Sequence, residues 1–370
     1  MTHRVTLIPG DGIGPEVVEA ARRVLDATGV SFDWDRQDAG YEVWEREGDP
    51  LPERVLESIR QTRLALKGPT KTPLGGFRPV NMPLREEFDL YANIRPTKAY
   101  EGVPTRFPET DLVVVRMARE DMYAGIEYPA GDESTARLRE LIRATRGAEL
   151  PEDSGITIKA LSASESKRVV RKAFEYAKEH GRRKVTIVHK ANVIKHSDGL
   201  FLEAAREVAE GEHPDFECDD RRVDSLCAEL VTRPSEHDVL VMPLAYGDIV
   251  SDLTAGLSGG LGMAPGVNLG DEHAIFEAVH GTAPKHAGKN RANPLALVLC
   301  GAMLLRHVDE EQAAERVERA VADVVHEGRH VTYDLKESRD DSTAAGTSEV
   351  ADAVIEAMSR DPIINAGLRP

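Results

Sequence analysis

Asp248 and Asp252 stand four residues apart in the segment Gly-Asp-Ile-Val-Ser-Asp at 247–252. On a helix that spacing places both carboxylates on one face, one turn from each other. The flanks, 239–244 and 253–263, are apolar and Gly-rich, so these are not two acids on an ordinary solvated surface. Like charges held near an apolar wall repel, and either a cation lies between them or one keeps its proton. A hard divalent ion such as Mg²⁺ or Mn²⁺ meets the first condition with oxygen ligands. Arg85 and Arg95 bracket a mostly apolar strand expected at 88–94, and Arg116 ends the apolar strand expected at 112–115. Arginines at strand ends can hold carboxylates through bidentate, charge-assisted bonds. Any one of them alone would equally serve as a strand-end residue paired with a surface acid.

Four other segments carry reactive side chains. Tyr123 lies in Met-Tyr-Ala-Gly-Ile-Glu (122–127), and Lys190 closes the β-branched run 185–189. A lysine desolvated at the end of a buried strand is costly, which makes a functional role as reasonable as a structural one. Asp224, in Arg-Val-Asp-Ser, says little by itself. The stretch 277–294 is rich in Gly, Ala and Asn, carries His280, Lys285, His286, Lys289 and Arg291, and ends where a helix begins. Such a loop can approach a phosphate or ribose through its backbone.

The elements that position these groups follow from periodicity. Short strands are expected at 5–8, 64–66, 112–115, 156–158, 184–189 and 239–242, and helices at 16–25, 167–179, 199–209, 294–307 and 310–326. This alternation implies an α/β fold with a largely parallel sheet. Residues 9–15 form a Gly-rich turn between strand and helix, but the Gly10-x-Gly12-x-Gly14 spacing is not the dinucleotide fingerprint, so a conventional Rossmann site is not expected. Residues 129–153 are charged, without a clear core face, and are expected to protrude. With 64 acidic against 47 basic residues among 370, the net charge is −17, which argues against nucleic acid or an anionic membrane as partner. Three cysteines are too few and too scattered for a disulfide framework or a zinc site, and no apolar run is long enough to span a bilayer. A reducing cytoplasm is the expected setting.

Taken together, 9–16, 81–96, 123–127, 189–201, 247–252 and 264–294 resemble the β-decarboxylating dehydrogenases, the family of isocitrate, isopropylmalate, homoisocitrate and tartrate dehydrogenases. The residues Tyr-Ala-Gly-Ile-Glu-Tyr-Pro-Ala-Gly at 123–131, the insertion after them and Lys285-His286 are most similar to the bacterial NADP-dependent isocitrate dehydrogenases. The resemblance implies a non-Rossmann α/β fold. Its large domain would comprise 1–91 and 259–370, its small dimerisation domain 92–120 and 163–258, and a clasp-like insertion 121–162. It implies a homodimer with shared active sites. Asp248 and Asp252 of one subunit and Asp224 of the other would hold Mg²⁺ or Mn²⁺. Asn81, Arg85, Arg95 and Arg116 would bind a small anionic substrate, with Tyr123 and the partner's Lys190 in acid–base roles. Thr72, His280, Gly281, Lys285, His286, Asn293, Tyr333 and, from the partner, Arg233 would contact the cofactor. Lys285, where NAD-dependent members usually carry Asp, favours NADP over NAD.

Departures from the family pattern bear on the substrate. Pro79 stands where isocitrate dehydrogenases carry a Ser that bonds the substrate's γ-carboxylate. Met117, Ala118 and Arg119 replace polar residues, and Arg119 adds a cation. Isocitrate is the expected substrate. The alternatives are an analogue of the phosphonomethylmalate or homoisocitrate type, read by Arg119, and, in a different class, a non-catalytic regulatory subunit. The family's further Arg after Tyr333 falls near Glu337, with Lys336 and Arg339 alongside.

Overall fold

The computed structural model describes residues 1–73 and 77–360. Its strands are β1 (Thr2–Ile8), β2 (Ser31–Arg36), β3 (Leu64–Lys67), β4 (Ala92–Lys98), β5 (Asp111–Met117), β6 (Glu127–Tyr128), β7 (Ile156–Thr157), β8 (Lys184–His189), β9 (Glu217–Arg222), β10 (Val239–Met242), β11 (Val267–Leu269) and β12 (Ala274–Glu277). Its α-helices are α1 (Gly14–Asp26), α2 (Tyr41–Glu47), α3 (Glu53–Thr62), α4 (Asn81–Glu87), α5 (Glu133–Arg146), α6 (Ala163–Glu179), α7 (Ser197–Glu212), α8 (Val223–Leu230), α9 (Leu244–Leu257), α10 (Leu295–His307), α11 (Glu311–Glu327) and α12 (Thr347–Ser359).

Ten strands form one sheet in the order β2-β1-β3-β12-β11-β4-β5-β10-β8-β9. Its two outer portions are parallel, as βα alternation requires. The middle is antiparallel at β12/β11, β11/β4 and β4/β5, which joins the two parallel portions into a single sheet. Several expected elements recur with ragged ends, and β8 and β10 recur unchanged. Residues 88–91 are not strand: Arg85 sits on α4, not at a strand end, because Phe88 closes that helix and β4 starts only at Ala92. The protruding segment does have structure. Asp132 caps α5 by accepting from the Ser134 amide, Gly147 ends that helix in the left-handed conformation, and the β6/β7 pair ties its base.

The main core lies where α1, α10, α11 and α12 cover the sheet. α10 is apolar on nearly every side, which suits a helix enclosed all round. A second core, of Leu112, Val114, Leu226, Leu240, Met242 and Val250, packs α8 and α9 on the opposite face. α9 approaches β5 so closely that a Cβ on Gly247 would lie 2.3 Å from Arg116 Cβ, so only glycine fits there. No helix among the described residues is long and apolar enough to cross a membrane. All three cysteines are free.

Candidate active site

Strand register builds the floor of the site. Asn268 of β11 is the register partner of Asn93 on β4, which in turn faces Arg116 on β5. All three are buried polar residues, and each finds a partner across the row. Asn93 Oδ1 accepts from Arg116 Nε at 2.9 Å and Arg95 Nε at 2.6 Å, while its Nδ2 donates to Asn268 Oδ1 at 3.1 Å. Arg85, reaching in from α4, donates from Nε to the same Asn268 oxygen at 3.0 Å. Three guanidinium groups are thereby fixed by two asparagines on neighbouring strands.

One wall of the site is α9. Asp248 Oδ1 lies 2.9 Å from Arg116 Nη1 and 3.3 Å from Arg95 Nη1, and Ser251 accepts a 2.6 Å bond from the latter nitrogen. Asp248 Oδ2 accepts from the Tyr123 hydroxyl at 3.0 Å. Asp252 stands one turn further along the same helix. Arg116, 2% exposed, keeps Nη1 buried without a well-formed hydrogen bond. Burial, reinforced by Arg95 and Arg85, strongly disfavours its charge. Burial raises the Asp248 carboxyl, but Arg116 and Arg95 outweigh it and hold the group below the usual range. Burial, with Asp248 adding to it, pushes Asp252 up against the opposing pull of Arg95. Burial and then the Asp248 charge raise the Tyr123 phenol, so Tyr123 stays protonated at neutral pH.

Tyr123 is aimed by strained backbone. Glu120 and Asp121 both adopt positive φ, 63° and 59°. Non-glycine residues there cost on the order of 1–3 kcal/mol each and persist only when held. Asp121, wholly buried, supplies the hold: its carboxylate accepts from the Met122 amide at 2.8 Å and the Ala245 amide at 2.9 Å. The second bond caps the first turn of α9 and ties the Tyr123 turn to the helix bearing Asp248.

A third wall is a buried ion pair absent from the sequence reading. Lys67 and Glu277 are register partners at the ends of β3 and β12, with Nζ 2.8 Å from Oε2. Glu277 also accepts from Asn268 at 2.7 Å and from Asn81 at 3.1 and 3.0 Å, and lies 3.8 Å from Arg85. Burial pushes its carboxyl up, yet Lys67 and Arg85 prevail and bring it down to about 2. Four buried cations thus face the two carboxylates of Asp248 and Glu277. That local excess, inside an acidic chain, suits a small polyanion.

The Gly-rich turn works as a clamp between two loops. The Asp11 amide donates to Pro69 O at 2.8 Å, and the Ile13 amide to Thr282 O at 3.0 Å. Gly12, at φ +64°, approaches Thr282 O too closely for any Cβ. Buried Asp11 accepts from the amides of Tyr41, Glu42 and Lys71. The amides of Asp11 and Ile13 are therefore spent on neighbouring loops rather than presented to a phosphate. The clamp anchors the loops bearing exposed Thr72 and the 280–286 segment; residues 74–76 lie outside the described residues. His280 Nε2 is buried without a partner beside Gly281, and burial lowers that imidazole. Lys285 is exposed, and His286 Nε2 lies 3.4 Å from the Tyr333 hydroxyl.

Several candidates stand elsewhere. Asn293 is buried, its amide donating to Asp334 and its oxygen accepting from Leu295 at the start of α10, so its side chain is committed to the fold. Arg119 does not join the arginine group: its guanidinium lies 2.5 Å from Asp89 and 2.7 Å from Glu165, in a network with Arg168. The charge that suggested a substrate role is neutralised by these carboxylates. Lys190 pairs with Asp224 at 2.5 Å, and Arg233 with Glu236 at 3.1 Å. Among the described residues no three His, Cys, Asp or Glu side chains converge on a possible metal position. Lys67, Asn93, Asp121, Ser251, Asn268 and Glu277 were missed by sequence reasoning; polar residues inside apolar strands were the available signal for Asn93 and Asn268.

Comparison with known proteins agrees with this architecture. Residues 4–354 match the family model described as isocitrate/isopropylmalate dehydrogenase. The crystal structure of isocitrate dehydrogenase from Methylococcus capsulatus is 46% identical, superposes with a TM-score of 0.88, and covers 97% of this chain and 100% of its own. An NADP isocitrate dehydrogenase of Archaeoglobus fulgidus is 40% identical, over 94% of this chain and 90% of the relative. A probable mitochondrial NAD isocitrate dehydrogenase subunit alpha of Drosophila melanogaster is 41% identical, over 90% of this chain and 83% of the relative. The chain belongs to the isocitrate/isopropylmalate dehydrogenase family, the NAD(P)-dependent decarboxylating dehydrogenases.

Proposed function

We propose that this protein oxidatively decarboxylates isocitrate to 2-oxoglutarate with NADP⁺, as a homodimer whose active sites each draw on both subunits. The observation that carries this reading is the buried Arg85–Arg95–Arg116 group around Asp248, with the Tyr123 hydroxyl on the same carboxylate. Bidentate guanidinium contacts suit the carboxylates of a tricarboxylic substrate, and their fixed positions limit the reorganisation needed on binding. The C2 hydroxyl proton leaves through Asp248 and Lys190 of the partner subunit. After CO₂ departs, Tyr123, held protonated, delivers a proton to the enol carbon.

Asp248 and Asp252 supply hard oxygen donors on adjacent turns, and that pair of carboxylates on one helix face fits a divalent cation between them. With Asp224 of the partner subunit, Mg²⁺ or Mn²⁺ there would lower the hydroxyl pKa and offset developing negative charge. Nicotinamide supplies the hydride acceptor, and the unpartnered His280 Nε2 and exposed Lys285 suit a phosphorylated ribose nearby. Residues 1–91 and 259–370 would form the large domain, 92–120 and 163–258 the small one, and 121–162 the clasp between subunits. The carboxylates on Arg119 favour isocitrate over an analogue whose arm would recruit that cation.

The test is absorbance at about 340 nm with Mg²⁺ or Mn²⁺, isocitrate, and NADP⁺ or NAD⁺. Turnover with NADP⁺ is expected. Inactivity toward isocitrate alongside turnover of isopropylmalate, homoisocitrate or phosphonomethylmalate would refute the reading.

A further inference from the structure

We propose that Arg291 is a specificity-determining residue for the cofactor, and that its guanidinium recognises a phosphate monoester on the ribose. This rests on the NADP reading above and assigns it a residue which the family pattern does not supply.

Many arginines of this acidic chain are paired with carboxylates, and Arg60, Arg168 and Arg306 each meet two or more. Around 285–291 and 339 the pattern is reversed. No carboxylate of the described residues forms an ion pair with Lys285, Lys289, Arg291 or Arg339. Lys289, Arg291 and Arg339 line one cavity of about 390 Å³; Asp340 and Asp341 also line it but form no ion pair with them. Unpaired cations grouped at a concave surface suit an incoming anion.

Arg291 is the best-placed member. Its guanidinium stacks on the Tyr333 ring at 4.4 Å from the centroid, and Nη2 donates to Arg339 O at 3.4 Å. Tyr333 in turn reaches His286 through its hydroxyl, and the two ring centroids lie 5.5 Å apart. Arg291 therefore joins the group that already holds His286 and Tyr333, next in sequence to Lys285. Stacking fixes the guanidinium plane while leaving edge donors free, which is the geometry for a bidentate grip on phosphate. Lys336, the other cation near the position of the missing arginine, is not available. Its Nζ donates to the carbonyls of Gly328 and Arg329 at 2.8 and 3.2 Å.

The experiment is calorimetric titration of the intact protein with NADP⁺ and with NAD⁺, for wild type, Arg291→Ala and Arg291→Lys, with thermal melts confirming equal folding. Wild type is expected to bind NADP⁺ more tightly. Arg291→Ala is expected to weaken NADP⁺ roughly ten- to a hundredfold while changing NAD⁺ by less than about twofold. Arg291→Lys should fall between, since a point charge neither stacks nor forks. If wild type prefers NADP⁺ and Arg291→Ala keeps that preference, or weakens both cofactors equally, this inference alone is overturned. If wild type prefers NAD⁺, the NADP reading fails and this inference fails with it.

Discussion

Replacing Glu277 by Gln should cost this protein more than any surface change of the same size. Lys67 is 1% exposed and its ammonium meets only Glu277, at 2.8 Å, and the carbonyl of Gly68, at 3.1 Å. Removing one member of a buried ion pair strands the other, at about 3–5 kcal/mol. Glutamine cannot restore the pattern, because Asn81, Asn268 and Lys67 all donate to this carboxylate and an amide would turn a donor towards one of them. Urea unfolding at fixed protein concentration is expected to show a loss in that range. Adding Lys67→Met to Glu277→Gln should recover at least about 1 kcal/mol by removing the stranded charge. Function should respond too, since Asn268 links Glu277 to Arg85. KM for the acid substrate is expected to rise more than kcat falls. A loss below about 1 kcal/mol, or a double variant no more stable than the single one, would refute the buried-pair reasoning.

Further expectations are open to simple assays. Tyr123→Phe should lower kcat by about a hundredfold or more with little change in KM, in line with loss of a general acid; an unchanged kcat would remove Tyr123 from the chemistry. Mixing inactive Asp252→Asn with inactive Lys190→Met, after subunit exchange, should recover up to about a quarter of wild-type activity, because half the dimers are mixed and each holds one intact shared site. No recovery would mean that each site lies within one subunit. Arg119→Met should lower stability by roughly 1–2 kcal/mol through its two lost ion pairs and leave substrate choice unchanged. A switch to another 3-substituted malate would restore Arg119 as a substrate residue. The Glu277 carboxyl, about 2 in the fold against an ordinary 4.5, contributes stability that is fully present above 4.5 and is lost as pH falls from there towards 2. The urea unfolding midpoint of Glu277→Gln should therefore depend less steeply on pH through that window than that of the wild type.

The architecture was legible where periodicity was strong. Runs such as Lys184–His189 and Val239–Met242 are rich in β-branched and apolar residues, and their flanking helices carry clear apolar faces. The antiparallel centre was not legible, because β11 and β12 are three and four residues long and carry no local sign of their partners. Within the site, Asp248, Arg95 and Arg116 could be picked out by residue type and setting, whereas a role for Tyr123 entered only through the family resemblance. Glu277 and Lys67 did not: each looks like an ordinary charge at the end of a short strand, and only register 210 positions away makes them a pair. The partners of Arg119 were hidden for the same reason. A cation in an unusual place suggested a ligand, whereas Asp89 and Glu165, from distant segments, already satisfy it.

The pairing of β3 with β12 and of β4 with β11 has a consequence for how the protein is made. During synthesis, the first 240 or so residues leave the ribosome with β3 lacking one neighbour and β4 lacking another. The strand that fills the gap emerges as a hairpin, β11 and β12 together, between residues 267 and 277. Until then two open sheet edges, each bordered by apolar residues, are exposed to other nascent chains. Insertion of that hairpin closes both edges and, in the same step, delivers Asn268 and Glu277 to the arginines. A polypeptide stalled before residue 277 is therefore both aggregation-prone and inert, and completion of the sheet and assembly of the site are one event.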